Sequence, residues 1–206
     1  MLSGIGPDRA RCAAHSLLAA GADSLVSWGC AAGLDPALSP GTLLLAQAVE
    51  APGRRCYRVD LRWRECVRTR LMGSIAFADG AIASTSTVLG CPGQKATLFE
   101  STHAVAADME SGAVADVARQ KGKPFLVVRA VSDPATLGMP KSVLREMDSW
   151  GRIRLARLVA AAFRNPHELI SLLRLGWGYF ASLRTLTRAA RHLGVDGLSL
   201  PPSGSE

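Results

Sequence analysis

The spacing of apolar and polar residues changes period several times along the chain. "FLVVRAVS" (125–132) and "TLLLAQAV" (42–49) are apolar on both faces, as strands covered by helices on both sides are, and "DSLVSWG" (23–29) reads as a shorter buried strand. "GAIASTSTVL" (80–89) is strand-like by its β-branched content and leads into the turn "GCPGQ". "SGIGPDRARCAAHSLLAAGA" opens on a glycine turn with a proline where a helix starts, and Gly21 closes it. "CAAGLDPALSPG" (30–41) reads as a loop, and "RVDLRWRECVRTRL" as helical in part. A further helix, opened by Asp108, runs to about Gln120, where "KGKP" breaks it. Strands alternating with helices predict an α/β fold with a largely parallel or mixed central sheet flanked by helices.

Composition adds limits. With 206 residues, 48% of them hydrophobic, the chain has enough apolar material for one domain with a substantial core. Cys12, Cys30, Cys56, Cys66 and Cys91 form no CxxC pair, which points to reduced thiols in a cytoplasmic protein and not to a disulfide framework or a metal site. The net charge of +7 is concentrated: residues 151–192 hold eight arginines against Glu168 alone, and the preceding body is close to balanced. The expected organisation is a domain over 1–150, a basic helical extension over 151–194 and a disordered tail over 195–206. A neutral body without a recognised motif argues against nucleic-acid binding.

Two readings of the extension stay open. Leu169, Leu172, Leu173, Phe180 and Leu183 fall on one helical face, and Arg174, Trp177, Arg184, Arg188 and Arg191 on another. That pattern suits a helix docked on the domain with a solvated basic face. It also suits an amphipathic helix in peripheral contact with an anionic membrane, Trp177 and Tyr179 lying at the interface.

Three acids stand out. "AADMESGAVADVA" (106–118) places Asp108 and Glu110 among small and apolar residues, where an unpaired carboxylate is costly. Asp108 as the helix N-cap is sufficiently explained. Glu110 shares a face with Val114 and Val117, so it points toward the core and requires a partner. Asp133 follows "FLVVRAVS" at the C-terminal end of a strand, where open α/β sheets bind ligands, and a Ser-Asp-Pro turn is the alternative explanation. An acid in a partly dry pocket there suits general acid catalysis.

"SGIGPDRA", "SWGCAAGLDPALSPGTLLLA", "AADMESGAVADVA" and "PFLVVRAVSDPA" occur in the order found in the nucleoside phosphorylase and nucleosidase superfamily, which the chain resembles over almost its whole length. "GLDPALSPG", the Asp-Met-Glu-Ser run, "SDPA" and the tail "RNPHELISLLRLGWGYFASLRTLTRAARHLG" resemble the hopanoid-associated phosphorylases within it. The resemblance implies a substrate-binding set of Met109, Glu110, Gly29 and Cys30, with Glu110 accepting hydrogen bonds from the ribose hydroxyls and Asp133 as the catalytic acid that protonates the purine. Cys30 stands where many members place a Ser or Thr against phosphate or the nucleophile, and Ser27 where some phosphorylases place an arginine. The family's initial strand and loop, which carries a phosphate-binding glycine or a water-orienting acid, is expected to be missing from a sequence that opens at Met1-Leu2-Ser3-Gly4.

The resulting expectation is an enzyme that cleaves the N-glycosidic bond of an adenine nucleoside, adenosylhopane by resemblance, releasing adenine in hopanoid biosynthesis. It needs no cofactor or metal, phosphate being a candidate co-substrate, and the resemblance implies a homo-oligomer. The alternatives are a methylthioadenosine/adenosylhomocysteine nucleosidase, or a truncated, inactive purine-nucleoside-binding protein.

Overall fold

The computed structural model describes residues 4–140, 143, 166–194 and 196–201. Within them lie eight strands: β1 (Leu25–Gly33), β2 (Leu43–Leu45), β3 (Ala48–Ala51), β4 (Arg55–Arg58), β5 (Phe77–Ala78), β6 (Ala81–Ser84), β7 (Ala106–Asp108) and β8 (Phe125–Asp133). The helices are α1 (Pro7–Ala19), α2 (Leu61–Leu71), α3 (Pro92–Thr102), α4 (Ser111–Gln120) and α5 (Pro166–Leu193). The strands form one mixed sheet in the order β4-β3-β6-β7-β1-β8-β2-β5.

The strand pattern explains the layering. Phe125 and Val127 of β8 join one apolar cluster with Ala115, Val117 and Ala118 of α4, while Leu126, Val128 and Ala130 join a second with Trp63, Val67 and Leu71 of α2 and Leu186, Ala189 and Leu193 of α5. Alternate side chains of a strand point to opposite faces, so a run without polar positions needs a helical layer on each side. Trp63, Val67 and Leu71 are fully buried, and each contributes about 1.5–3 kcal/mol through removal of its apolar surface from water.

The chain departs from its own pattern in four places. "TLLLAQAV" is two strands, because the backbone changes partner in its middle: Ala46 N–H donates to Val127 O and Gln47 N–H to Gly80 O. Thus β2 pairs with β8 and β3 with β4 and β6, in different halves of the sheet. Strand β1 continues through "CAAG", since Cys30 and Ala31 stay in register with Ala130 and Val131. "GCPGQ" is a helix start: Cys91 caps α3, and the Gln94 side chain accepts from the Cys91 N–H at 3.3 Å. Finally, α4 begins at Ser111 because Asp108 is the last residue of β7, although its carboxylate still accepts the Ser111 N–H at 3.1 Å.

On its β7 side, β1 is paired only at Ala32 and Gly33. Along Leu25–Ala31 it borders a cavity of about 1300 Å³ that reaches from α1 to α5.

Of the expected basic extension, residues 151–165 lie outside the described residues, as do 195 and 202–206 of the expected tail. Asp196–Leu200 is placed against the domain: Leu198 packs on the α2/α5 cluster, and Arg70 donates to Asp196 O at 2.8 Å. Helix α5 lies against β8 through Gly178, Ser182, Leu186, Ala189 and Leu193, all buried. Its arginines and large apolar residues do not separate into the two expected faces. Ile170, Leu173, Trp177, Phe180, Arg184, Arg188 and Arg191 are all exposed, and their spacing puts them on one outward face.

Gly178 sets how closely α5 approaches. A Cβ there would fall 2.1 Å from Ser132 O, a backbone atom of β8. Alanine gains about 1 kcal/mol of helix propensity, but forced overpacking costs typically 1–3 kcal/mol and the neighbour cannot swing away. Gly178→Ala should therefore lower the thermal midpoint. Gly176→Ala, whose Cβ meets nothing within 4 Å, should leave it equal or higher. Paired melts of the two variants check this, and equal midpoints would remove the close approach as a constraint.

Candidate active site

A single arginine organises the acids. Arg129 interrupts the apolar run of β8, and its side chain crosses β1 above Gly29, where a Cβ would lie 2.5 Å from Nη1. A side chain there would have to displace the guanidinium from its present position. Arg129 Nη2 is 2.8 Å from Asp108 Oδ2 and donates to Ser27 Oγ at 2.7 Å, while Nη1 donates to Cys30 O at 3.1 Å and lies 3.5 Å from Glu110 Oε2. Arg129 and Asp108 are both nearly inaccessible, with side chains 6% and 1% exposed. A buried ion pair is tolerable when its remaining donors and acceptors are also satisfied. Here Ser27 and Ser111 supply that shell: their hydroxyls are 3.0 Å apart, and Ser111 Oγ also donates to Asp108. Of the guanidinium nitrogens, Nε has no partner among the described residues.

Glu110 faces inward, as its spacing requires, and its partners are protein groups. Oε1 accepts the Gly6 N–H at 2.9 Å, and Oε2 is turned toward Arg129. Gly6 is the N-cap of α1 and has no side chain to cap with, so a carboxylate from a distant helix start takes over that role at the positive end of the α1 dipole. Each carboxylate oxygen accepts more than one hydrogen bond, so acceptor capacity toward the cavity remains.

Asp133 stands at the C-terminal end of β8 and lines the same cavity as Met109, Glu110, Gly29 and Cys30. It is an ion pair, not an isolated acid in a dry pocket. Lys95 of α3, fully buried, places Nζ 2.5 Å from Asp133 Oδ2 and donates also to Pro134 O at 2.8 Å and Leu137 O at 2.9 Å, which accounts for all three ammonium protons. The other carboxylate oxygen, Oδ1, is 2.7 Å from Ser132 Oγ.

Cys30 points away from this cluster. Its thiol sits on the opposite face of β1 from Ser27, 3.2 Å from Ser182 Oγ of α5. Burial pushes the thiol pKa up, outweighing the Ser182 hydrogen bond and the Arg129 charge, so it behaves as a small apolar residue. The cavity thus brings together Asp133, Glu110, Met109 and Gly29, while Cys30 contributes through its position in the strand.

Sequence reasoning passed over Arg129, Ser27 as its partner, Ser111, Gly6 and Lys95. For Arg129 a signal existed: a charge inside a strand buried on both faces requires a buried counter-charge, and "ADMES" was the available one. For Lys95 none existed, because a lysine in "GQKATLFE" has the spacing of a solvated helix residue.

Residues 1–164 match the family model described as the Phosphorylase superfamily. No curated protein matches the chain. Solved structures with the same fold include a Helicobacter pylori 5′-methylthioadenosine/S-adenosylhomocysteine nucleosidase, at 19% identity and a TM-score of 0.67 over 93% of this chain and 75% of that one. The native futalosine hydrolase of the same organism gives 20% and 0.64 over 91% and 76%. A methylthioadenosine/adenosylhomocysteine nucleosidase from Colwellia psychrerythraea, in complex with adenine, gives 21% and 0.60 over 76% and 73%.

The Lys95–Asp133 pair makes a direct prediction. Removing one member of a buried pair leaves an uncompensated charge and costs about 3–5 kcal/mol. Lys95→Met should be destabilised by that order in urea denaturation, and the double variant Lys95→Met/Asp133→Asn should recover part of the loss. A single variant as stable as the parent would show that the pair holds nothing together.

Proposed function

The chain belongs to the phosphorylase superfamily, and on that premise we propose that it cleaves the N-glycosidic bond of a nucleoside. The observation that carries the reading is the placement of two differently held carboxylates on one cavity: Glu110 against Arg129 and the α1 N-terminus, and Asp133 against Lys95. Glu110 is the sugar-side group, accepting hydrogen bonds from the ribose hydroxyls with Met109 beside it. Asp133 is the base-side group. In the resting protein it is the carboxylate of the Lys95 pair. It takes up a proton from solvent as the nucleoside enters and passes that proton to a ring nitrogen of the purine, and the C1′–N9 bond then breaks with its electron pair leaving on the base. The Lys95 ammonium stabilises the carboxylate that remains, and the oxocarbenium-like sugar is captured by phosphate or water.

The substrate we infer is an adenine nucleoside with a bulky apolar substituent, adenosylhopane by the resemblance of the sequence. The size of the cavity supports this: about 1300 Å³ exceeds the 300–1,000 Å³ typical of small-molecule pockets, and Leu17, Leu183 and Leu186 line it beyond the acids. Homo-oligomerisation follows from the same resemblance. Methylthioadenosine/adenosylhomocysteine hydrolysis is the competing reading, favoured by the shared fold with those nucleosidases. Incubation with adenosylhopane, methylthioadenosine or adenosine, with and without phosphate, separates them by the adenine and sugar products. No adenine from any of the three would leave only the inactive, binding-only alternative.

Two variants test the assigned roles. Asp133→Asn should lower turnover by about 10²–10⁴ while nucleoside binding persists, provided a melt shows the variant folded despite the unpaired Lys95. Unchanged turnover would remove Asp133 from the reaction. Glu110→Gln keeps an acceptor for Gly6 but loses the charge-assisted bond to the sugar, so ribosides should lose more kcat/KM than 2′,3′-dideoxy analogues. Equal losses would make Glu110 structural.

A further inference from the structure

The outward face of α5 is unpartnered among the described residues, and its chemistry is graded along the helix. In the first half Ile170, Leu173, Trp177 and Phe180 are exposed by 61%, 64%, 68% and 67%, which is unusual for side chains of this size. In the second half the same face carries Arg184, Arg188 and Arg191, all exposed, and Arg174 flanks the apolar stripe. No acidic residue occurs anywhere from Leu169 to Gly194. The inner face is fixed against β8, so α5 cannot turn its apolar stripe inward to hide it. No described helix is long and apolar enough to cross a bilayer, which leaves contact from one side.

We infer that this face is a docking surface for an anionic lipid bilayer, with Ile170, Leu173, Trp177 and Phe180 entering the headgroup boundary and Arg184, Arg188 and Arg191 contacting lipid phosphates. Charge complementarity selects this occupant. A second copy packed face to face would set arginines of one α5 close to those of the other, with no carboxylate between Leu169 and Gly194 of either chain to compensate. A nucleic acid or other polyanion would use the arginines but leave the four large apolar residues in water. An anionic membrane uses both, since amphipathic helices at such interfaces combine burial of an apolar face with attraction of basic residues. Trp177 is at home at that depth, being apolar in body and polar at its N–H. The inference does not depend on which nucleoside the cavity accepts.

The test uses the full chain and vesicles of phosphatidylcholine with or without phosphatidylglycerol. Co-sedimentation should require phosphatidylglycerol and weaken as salt shortens the screening length. Arg184→Gln/Arg188→Gln/Arg191→Gln should reduce partitioning on the order of 100-fold, from the contribution of each basic residue near an anionic surface. Ile170→Ser/Trp177→Ser should abolish it as well, and both variants should keep the parent melting temperature because the altered side chains are exposed. Should either multiple variant fail to fold, the parent protein still decides the matter, through a blue shift of tryptophan emission on phosphatidylglycerol vesicles that Trp177→Phe removes. Three results would overturn the inference: no anionic-lipid dependence, binding that needs the arginines but not Ile170 and Trp177, or a dimer in sedimentation that Ile170→Ser/Trp177→Ser dissociates while vesicle binding is absent.

Discussion

The guanidinium of Arg129 is the charge to which much of this structure answers. A cation buried in the middle of a sheet is excluded unless counter-charges and hydrogen-bond acceptors come to it. It obtains them from two separate parts of the chain: Asp108 and Glu110 at the β7–α4 junction, and the Ser27 hydroxyl and Cys30 carbonyl of β1. Satisfying one side chain therefore ties β8 to its parallel neighbour β1, to the start of α4 and, through Glu110 and Gly6, to the N-terminus of α1. The constraint falls on Gly29, where a Cβ would displace the guanidinium.

The same economy governs the base-side carboxylate. Lys95 holds Asp133 together with two carbonyls of the following turn, so α3 both positions the acid and closes the loop behind it. Neither half of the site is made by one motif. Arg129 of β8 is answered from the β7–α4 junction and Asp133 of β8 from α3, so the acids line a common cavity through partners that only the fold brings to them. Helix α5 is bound to this arrangement by Gly178 and Ser182 on its inner face, while its outer face is exposed among the described residues.

Much of the fold was legible in the chain. Runs such as "FLVV" and "TLLLA" place apolar residues at consecutive positions, which suits a strand covered on both faces, so the layered α/β plan followed from period. The inward direction of Glu110 followed from its spacing to Val114 and Val117, and the strand-end position of Asp133 from the end of the apolar run. The division of "TLLLAQAV" between two halves of the sheet was not legible, since a backbone that switches hydrogen-bond partner at Ala46 and Gln47 leaves no mark in side-chain pattern. Nor was the exposure of Ile170, Leu173 and Phe180 on the face that Trp177 shares with the arginines, because the outer side of a helix is defined by what covers its inner side.

What the sequence by itself determined was composition at a distance: which segments must be buried, which acids must be paired, and where the positive charge resides. What only the tertiary structure decided was the identity of each partner. Glu110 needed a partner, and the chain offers many; Arg129 serves it and Asp108 together because β1 and β8 lie parallel in a register that sets Gly29 beside the guanidinium. Asp133 needed a neighbour, and Lys95 supplies it because α3 begins at Cys91 and packs under the end of β8. Pairing is decided by distance in space, and the sequence encodes distance only along the chain.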